Sequence, residues 1–259
     1  MIQFDCHAHV YETTRTVPGA RYAPKAPAPL SSWLKNLENH KLKGGVIVQV
    51  SFLGTDNSEL CAALGKLDTS RFAGVAVVPL DVGASELGRL KACGVRGVRW
   101  NLVGGAVIPD LKTAQVQAFL EKLRKHDLHL EVHLEGHRLA PHIAQLTDQG
   151  LKIVVDHFGL PSDASPESDP FIKAVTEQKN ARNLYIKLSA PYRTQFDITN
   201  HLTRLRDVLS PEQTIWGSDW PHTQHENLVD FGSVFNDAIR WFCESDASSA
   251  GILYGIASN

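Results

Sequence analysis

The chain has no apolar run approaching the roughly 20 residues that a membrane-crossing helix needs. Charge of one sign is lacking too. Lys and Arg number 26 against 28 Asp and Glu, a formal net charge of -2 with no basic block, which excludes nucleic acid or an anionic membrane as a partner recognised through bulk charge. Cysteine is sparse: Cys6, Cys61, Cys93 and Cys243 are scattered without a CxxC pair, so they read as reduced thiols rather than a disulfide framework or a zinc finger. The opening Met-Ile-Gln-Phe-Asp meets charge and histidine at once, without the basic region and apolar run of a secretory signal, and a cytoplasmic protein is expected. What is plentiful is histidine, twelve in 259 residues, in a composition of 43% hydrophobic and 21% charged residues that suits a large buried core.

Short Val- and Ile-rich runs alternate with longer amphipathic stretches from end to end. Strands are expected at 2–9, 45–51, 73–79, 95–102, 128–134, 152–157, 184–189 and 213–218, and helices at 30–40, 58–67, 84–93, 113–126, 140–149, 171–178, 198–209 and 228–243. Near-continuous apolar strands such as Val46-Ile47-Val48-Gln49-Val50 suit a parallel sheet covered on both faces. Eight strand–helix units over this length favour a closed (β/α)8 TIM barrel, one domain over residues 1–259, above an open doubly wound sheet. No GxGxxG follows the first strand, which weakens the open alternative further. Two Pro- or Ser-rich loops, 17–29 and 160–170, are candidate lids.

A parallel barrel gathers its active site at the carboxyl ends of its strands. Here those ends read Asp5-Cys6-His7-Ala8-His9, Arg99-Trp100-Asn101, Glu131-Val132-His133-Leu134, Asp156-His157 and Ser218-Asp219-Trp220-Pro221-His222. His7 and His9 are two apart, so on a strand they leave the same face and are able to chelate one ion. A lone HxH pair is no more than two core histidines; with His133, His157 and Asp219 at other strand ends it becomes a ligand set. Zinc takes imidazole and carboxylate ligands and, in catalytic sites, leaves a position for an activated water. Asp156 is expected on the opposite strand face, anchoring a helix. His126, His129, His137, His142, His201 and His225 fall on helical or loop patterns and read as solvated or capping groups.

The Asp-Cys-His-Ala-His opening, Gly-Val-Arg-Gly-Val-Arg-Trp-Asn, Val-Val-Asp-His-Phe-Gly, Lys-Leu-Ser-Ala-Pro-Tyr-Arg, Trp-Gly-Ser-Asp-Trp-Pro-His and Leu-Tyr-Gly-Ile together resemble the amidohydrolase-2 group of the amidohydrolase superfamily. Within it, the chain is most similar to the lactone hydrolases related to 2-pyrone-4,6-dicarboxylate lactonase. The resemblance implies that Asp219 activates water as general base, and that His157, His7 and His9 polarise the lactone carbonyl or bind metal. Some lactonases of the group work without metal while other relatives hold one zinc. His133, where a non-ligand is expected in the metal-free enzymes, tips the reading toward one divalent ion, zinc favoured, on His7, His9, His133 and Asp219. Strand four ends in Arg99-Trp100-Asn101 instead of the lysine of binuclear members, which disfavours two metals.

Arg99 and Arg193 offer planar donor forks suited to a substrate carboxylate, with Tyr192 beside Arg193 and His222 near Asp219 as further substrate contacts. The resemblance places further arginines where this chain has Gly105 and Leu160, so a mono-acid or sugar-derived lactone is expected at least as readily as a doubly charged pyrone. The leading reading is therefore a lactone hydrolase acting on a small molecule. A metal-dependent non-oxidative decarboxylase of an aromatic or muconate-type acid is the alternative on the same barrel, and an inactive binding barrel comes last. Self-association into a homo-oligomer through the outer helices is compatible with the sequence.

Overall fold

Short runs rich in apolar residues form eight strands, and the amphipathic stretches between them form the helices that cover their outer faces. The computed structural model describes residues 2–178, 181–241 and 247–257. The strands are β1 (Phe4–Ala8), β2 (Gly44–Val48), β3 (Phe72–Ala76), β4 (Val95–Asn101), β5 (His129–His133), β6 (Ile153–Val155), β7 (Leu184–Ser189) and β8 (Thr214–Gly217). They lie in sequence order, each parallel to the next. Just past the strand ends Asp219 N donates to the His7 carbonyl and His9 N to the Trp220 carbonyl, each at 2.7 Å, closing β8 onto β1. The result is a (β/α)8 TIM barrel.

Among the described residues ten α-helices follow: α1 (Leu30–Asn39), α2 (Ser58–Leu64), α3 (Ala84–Ala92), α4 (Ala114–Lys125), α5 (Gly136–Leu139), α6 (Ile143–Thr147), α7 (Pro170–Glu177), α8 (Thr199–Val208), α9 (Phe231–Trp241) and α10 (Ala247–Tyr254). Helix α4 shows the local logic. Thr113 caps its first turn by accepting from Val116 N, Lys122, Arg124 and Lys125 close its last turn, and Val116, Phe119, Leu120 and Leu123 form one buried stripe. Asp169 caps α7 in the same way, ahead of Pro170 at the first helical position. No described helix is long and apolar enough to cross a membrane.

Four details differ from expectation. The helix expected at 140–149 is shorter: Ala140–His142 form a 3-10 turn containing Pro141, which has no N–H for a continuous ladder, and separate α5, just upstream of the expected helix, from α6. Helix α10 was not expected, because its apolar residues form no one-sided stripe; Ala250, Leu253 and Tyr254 pack with Phe4, Val46, Tyr185 and Ile215 instead, plugging the amino-terminal end of the barrel. His129 and His201 are buried rather than solvated: His129 opens β5 facing inward, where Gly97 leaves room for its ring, and His201 bonds the Asp163 carbonyl at 2.9 Å. Loop 160–170 is pinned down by Asp169, which accepts from Ser162 N and Asp163 N, and none of its residues lines the central cavity. Cys243 and the end of the helix expected at 228–243 lie outside the described residues.

Candidate active site

At the carboxyl ends of the strands lies a cavity of about 210 Å³. Its polar wall comes from seven strand ends, all but that of β3, and from loop 17–29. That loop is anchored at its base by the reciprocal backbone pair Tyr11–Ala28, both hydrogen bonds 2.9 Å, and it carries Arg21 and Tyr22 into the wall.

Backbone irregularity aims the central side chains. Phe4 and Cys6 face the barrel interior, so strict alternation would send His7 outward; a register shift between Asp5 and Ala8 turns His7 and His9 inward instead. Gly217 makes this approach feasible, since a Cβ there would lie 2.4 Å from the Cβ of His7. His157 and Asp219 take left-handed backbone conformations at φ 52° and 59°, costing about 1 kcal/mol or more each, and so turn inward just past β6 and β8.

The two oxygens of Asp219 have opposite surroundings. Oδ2 accepts from Tyr192 Oη at 2.7 Å and from Arg193 Nε and Nη2 at 2.8 and 2.6 Å. Oδ1 has no hydrogen-bond partner, and three imidazole Nε2 atoms face it: His9 at 3.5 Å, His7 at 3.7 Å and His157 at 3.8 Å. Burial opposes ionisation of Asp219, but Arg193 and His157 outweigh it and hold the carboxyl well below the usual carboxylate range. Burial likewise pushes the His157 and His133 imidazoles well below their ordinary value and brings His7 down to about 4, with Lys187 adding to the effect on His7.

Beneath the cavity is a buried layer of charge. Asp156 bonds Arg99 Nε at 2.8 Å, and its other oxygen is 3.2 Å from His7 Nδ1. Lys187 Nζ bonds Glu131 Oε2 at 2.7 Å and lies 3.2 Å from the same His7 nitrogen. Asp156 therefore faces inward, against the helix-anchoring role expected for it. Val154 already points into the barrel, so strand parity carries Asp156 there, and the left-handed turn then brings His157 in beside it.

The expected substrate contacts divide. Arg99 and Arg193 line the cavity, although Arg193 commits its fork to Asp219 and Arg99 its Nε to Asp156. Tyr192 and His222 stand behind Asp219, outside the cavity wall, and bond each other at 3.1 Å. Sequence reasoning missed Glu131, Lys187 and Arg21. The period-two pattern His129, Glu131, His133 placed Glu131 on the inner face, and Lys187 alternates with Tyr185 and Ser189 in the same way; Arg21 sits in an irregular loop and left no such signal.

Donor atoms of His7, His157 and Asp219 lie within 4.8 Å of one another, and His7 Nε2 and Asp219 Oδ1 are buried without partners. His9 Nδ1 lies 2.8 Å from the Val48 carbonyl; in the neutral ring it is the donor, which leaves the Nε2 lone pair turned toward Asp219. A cation fits this arrangement. His133 groups with Asp156 and His157 rather than with Asp219.

A 4-sulfomuconolactone hydrolase from Rhizobium radiobacter is 26% identical over 248 residues, covering 92% of this chain and 83% of that protein. Among solved structures, a Pseudomonas putida protein described as a 2-pyrone-4,6-dicarboxylic acid hydrolase is 33% identical with a TM-score of 0.87, covering 99% of this chain and 98% of its own. An Acinetobacter baumannii protein described in the same terms, with citric acid bound, is 30% identical with a TM-score of 0.85, covering 99% of this chain and 100% of its own. Residues 4–255 match the amidohydrolase family, and the chain belongs to it.

Proposed function

We propose that the protein hydrolyses a small lactone bearing a carboxylate or similar acidic group, with Asp219 as general base. The observation that carries this reading is the asymmetry of Asp219: one oxygen saturated by Arg193 and Tyr192, the other bare, surrounded by imidazoles and open to a cavity with three guanidinium groups in its wall. Relatives that act on sulfomuconolactone and pyrone dicarboxylate point the same way.

Asp219 Oδ1 takes a proton from water as its oxygen adds to the lactone carbonyl. His157 Nε2, with Nδ1 accepting from the Ser189 hydroxyl at 2.8 Å, donates to the developing oxyanion. The ring oxygen then leaves the acyl carbon, and the proton held on Asp219 passes to it, giving a hydroxy acid. Arg99, and Arg21 from the loop, hold the substrate's acidic group, while Arg193 and Tyr192 hold Asp219 ionised and in place. A single divalent ion, zinc by its donors, would be held by His7, His157 and Asp219 with His9 beside them, and His157 Nε2 would then serve as its ligand in place of donating to the oxyanion. When bound it supplies Lewis-acid polarisation and a more acidic water.

The test is a pH-indicator screen of sugar, muconate and pyrone lactones, run with wild type and Asp219→Asn, before and after chelation and zinc return. Proton release by wild type, reduced at least about 100-fold in the variant, is expected. Release of carbon dioxide without ring hydrolysis would move the assignment to the decarboxylase. Turnover that survives complete chelation would remove the metal from the account and leave Asp219 and the imidazoles in place.

A further inference from the structure

Below the cavity floor three side chains converge on one buried amine. Lys187 Nζ lies 2.7 Å from Glu131 Oε2, 3.2 Å from His7 Nδ1 and 3.5 Å from Asp156 Oδ1. His7, Glu131 and Asp156 are also one of the sets whose donor atoms lie within 4.8 Å of each other, the spacing that suits a metal ion. All four residues are buried. The deep layer thus has the composition of a second cation site, and an ammonium group already stands in it.

Charge supports the same conclusion. Glu131 and Asp156 are two carboxylates closed off from water, and Lys187 and Arg99 are the two cations that meet them, with Arg99 on Asp156 Oδ2 and Lys187 facing Asp156 Oδ1. Buried carboxylates without cations would be strongly disfavoured. The ammonium has N–H donors for both carboxylates, Glu131 Oε2 at 2.7 Å and Asp156 Oδ1 at 3.5 Å, and packs against His7 Nδ1 beside them. Its approach from β7 is fixed by strand parity, Tyr185 below and Ser189 above on the same inner face.

We propose that Lys187 is a built-in cation: its ammonium fills the His7–Glu131–Asp156 set, closes that set to metal ions, and supports His7 from beneath so that its Nε2 faces Asp219. Lys187 is on this account a positioning residue, acting through His7 and never touching substrate. The inference stands independently of the lactone reading, since it concerns which cation occupies the deep layer whatever reaction takes place above it.

The experiment uses Lys187→Ala in the full chain. The variant is expected to melt about 10 °C below wild type. n-Propylammonium, which restores the three carbons and the ammonium that alanine lacks, should raise the melting midpoint of the variant by several degrees and leave wild type unchanged; tetramethylammonium, which has no N–H, should do neither. Zinc loading followed by desalting and elemental analysis should find one more zinc per chain in the variant than in wild type. Either a propylammonium-specific rise or the additional zinc supports the proposal, and the absence of both overturns it. If Lys187→Ala does not fold, Lys187→Met combined with Glu131→Gln removes a cation and its partner together and should fold without binding the extra zinc; a double variant that fails as completely as the single one also overturns the proposal.

Discussion

At the scale of single residues, the account depends on how Asp219 divides its two oxygens. Tyr192→Phe deletes one of three donors to Oδ2 and should lower kcat about ten-fold, roughly the value of one hydrogen bond to a charged group, with KM little changed. Arg193→Lys should cost more, because a lysine cannot reproduce the two-nitrogen contact. An unchanged kcat in both variants would contradict the orienting role. The buried imidazoles make a second prediction. Burial holds His7 and His222 at about 4 in the folded chain, below the 6.5 of an unperturbed imidazole, so the unfolded chain binds more protons between these values. Their contribution to stability is therefore complete above about pH 6.5 and is lost as pH falls toward 4. Metal-free protein should show a melting midpoint that declines across this window; a midpoint independent of pH between 7 and 4 would refute the assignment.

Elements show which parts of this molecule are legible in sequence. The eight strands were, because each short run rich in apolar residues is covered by helices outside and by the barrel interior inside. The meeting of His7, His157 and Asp219 was legible only as a list of strand ends, since their inward aim depends on a register shift in β1 and on two left-handed residues that no periodicity records. Asp156 was misplaced for that reason: with His157 read as inward by alternation, its neighbour had to be outward, whereas both point in. Helix α10 was missed because its exposed face carries Ile252 and its buried face Ser249, so its apolar residues mark no single side. Two substitutions test these elements. Gly217→Ala sets a methyl 2.4 Å from the His7 Cβ and should destabilise by about 1–3 kcal/mol, with loss of turnover as the β1–β8 seam opens. Tyr254→Phe in α10 removes a buried hydroxyl that has no hydrogen-bond partner among the described residues, so unfolding experiments should find it neutral or stabilising.

On the scale of the whole molecule, the barrel separates two tasks. Its amino-terminal end is an apolar plug of α10 and the lower strand residues, its middle a balanced layer of buried charge, and its carboxyl end a polar cavity. A chain with a formal net charge of only -2 still sets three arginines in its cavity wall, so on the proposed function attraction of an acidic substrate is local to the cavity mouth. Raising ionic strength should therefore lower kcat/KM for carboxylate-bearing lactones and leave neutral lactones nearly unaffected. The most direct test of the central claim is turnover of an acid-bearing lactone in water enriched in oxygen-18, followed by mass spectrometry of the product. Attack by water activated at Asp219 predicts one labelled oxygen in the newly formed carboxylate with wild type and no product above background with Asp219→Asn. Label in the alcohol oxygen, or full activity in the variant, would contradict it.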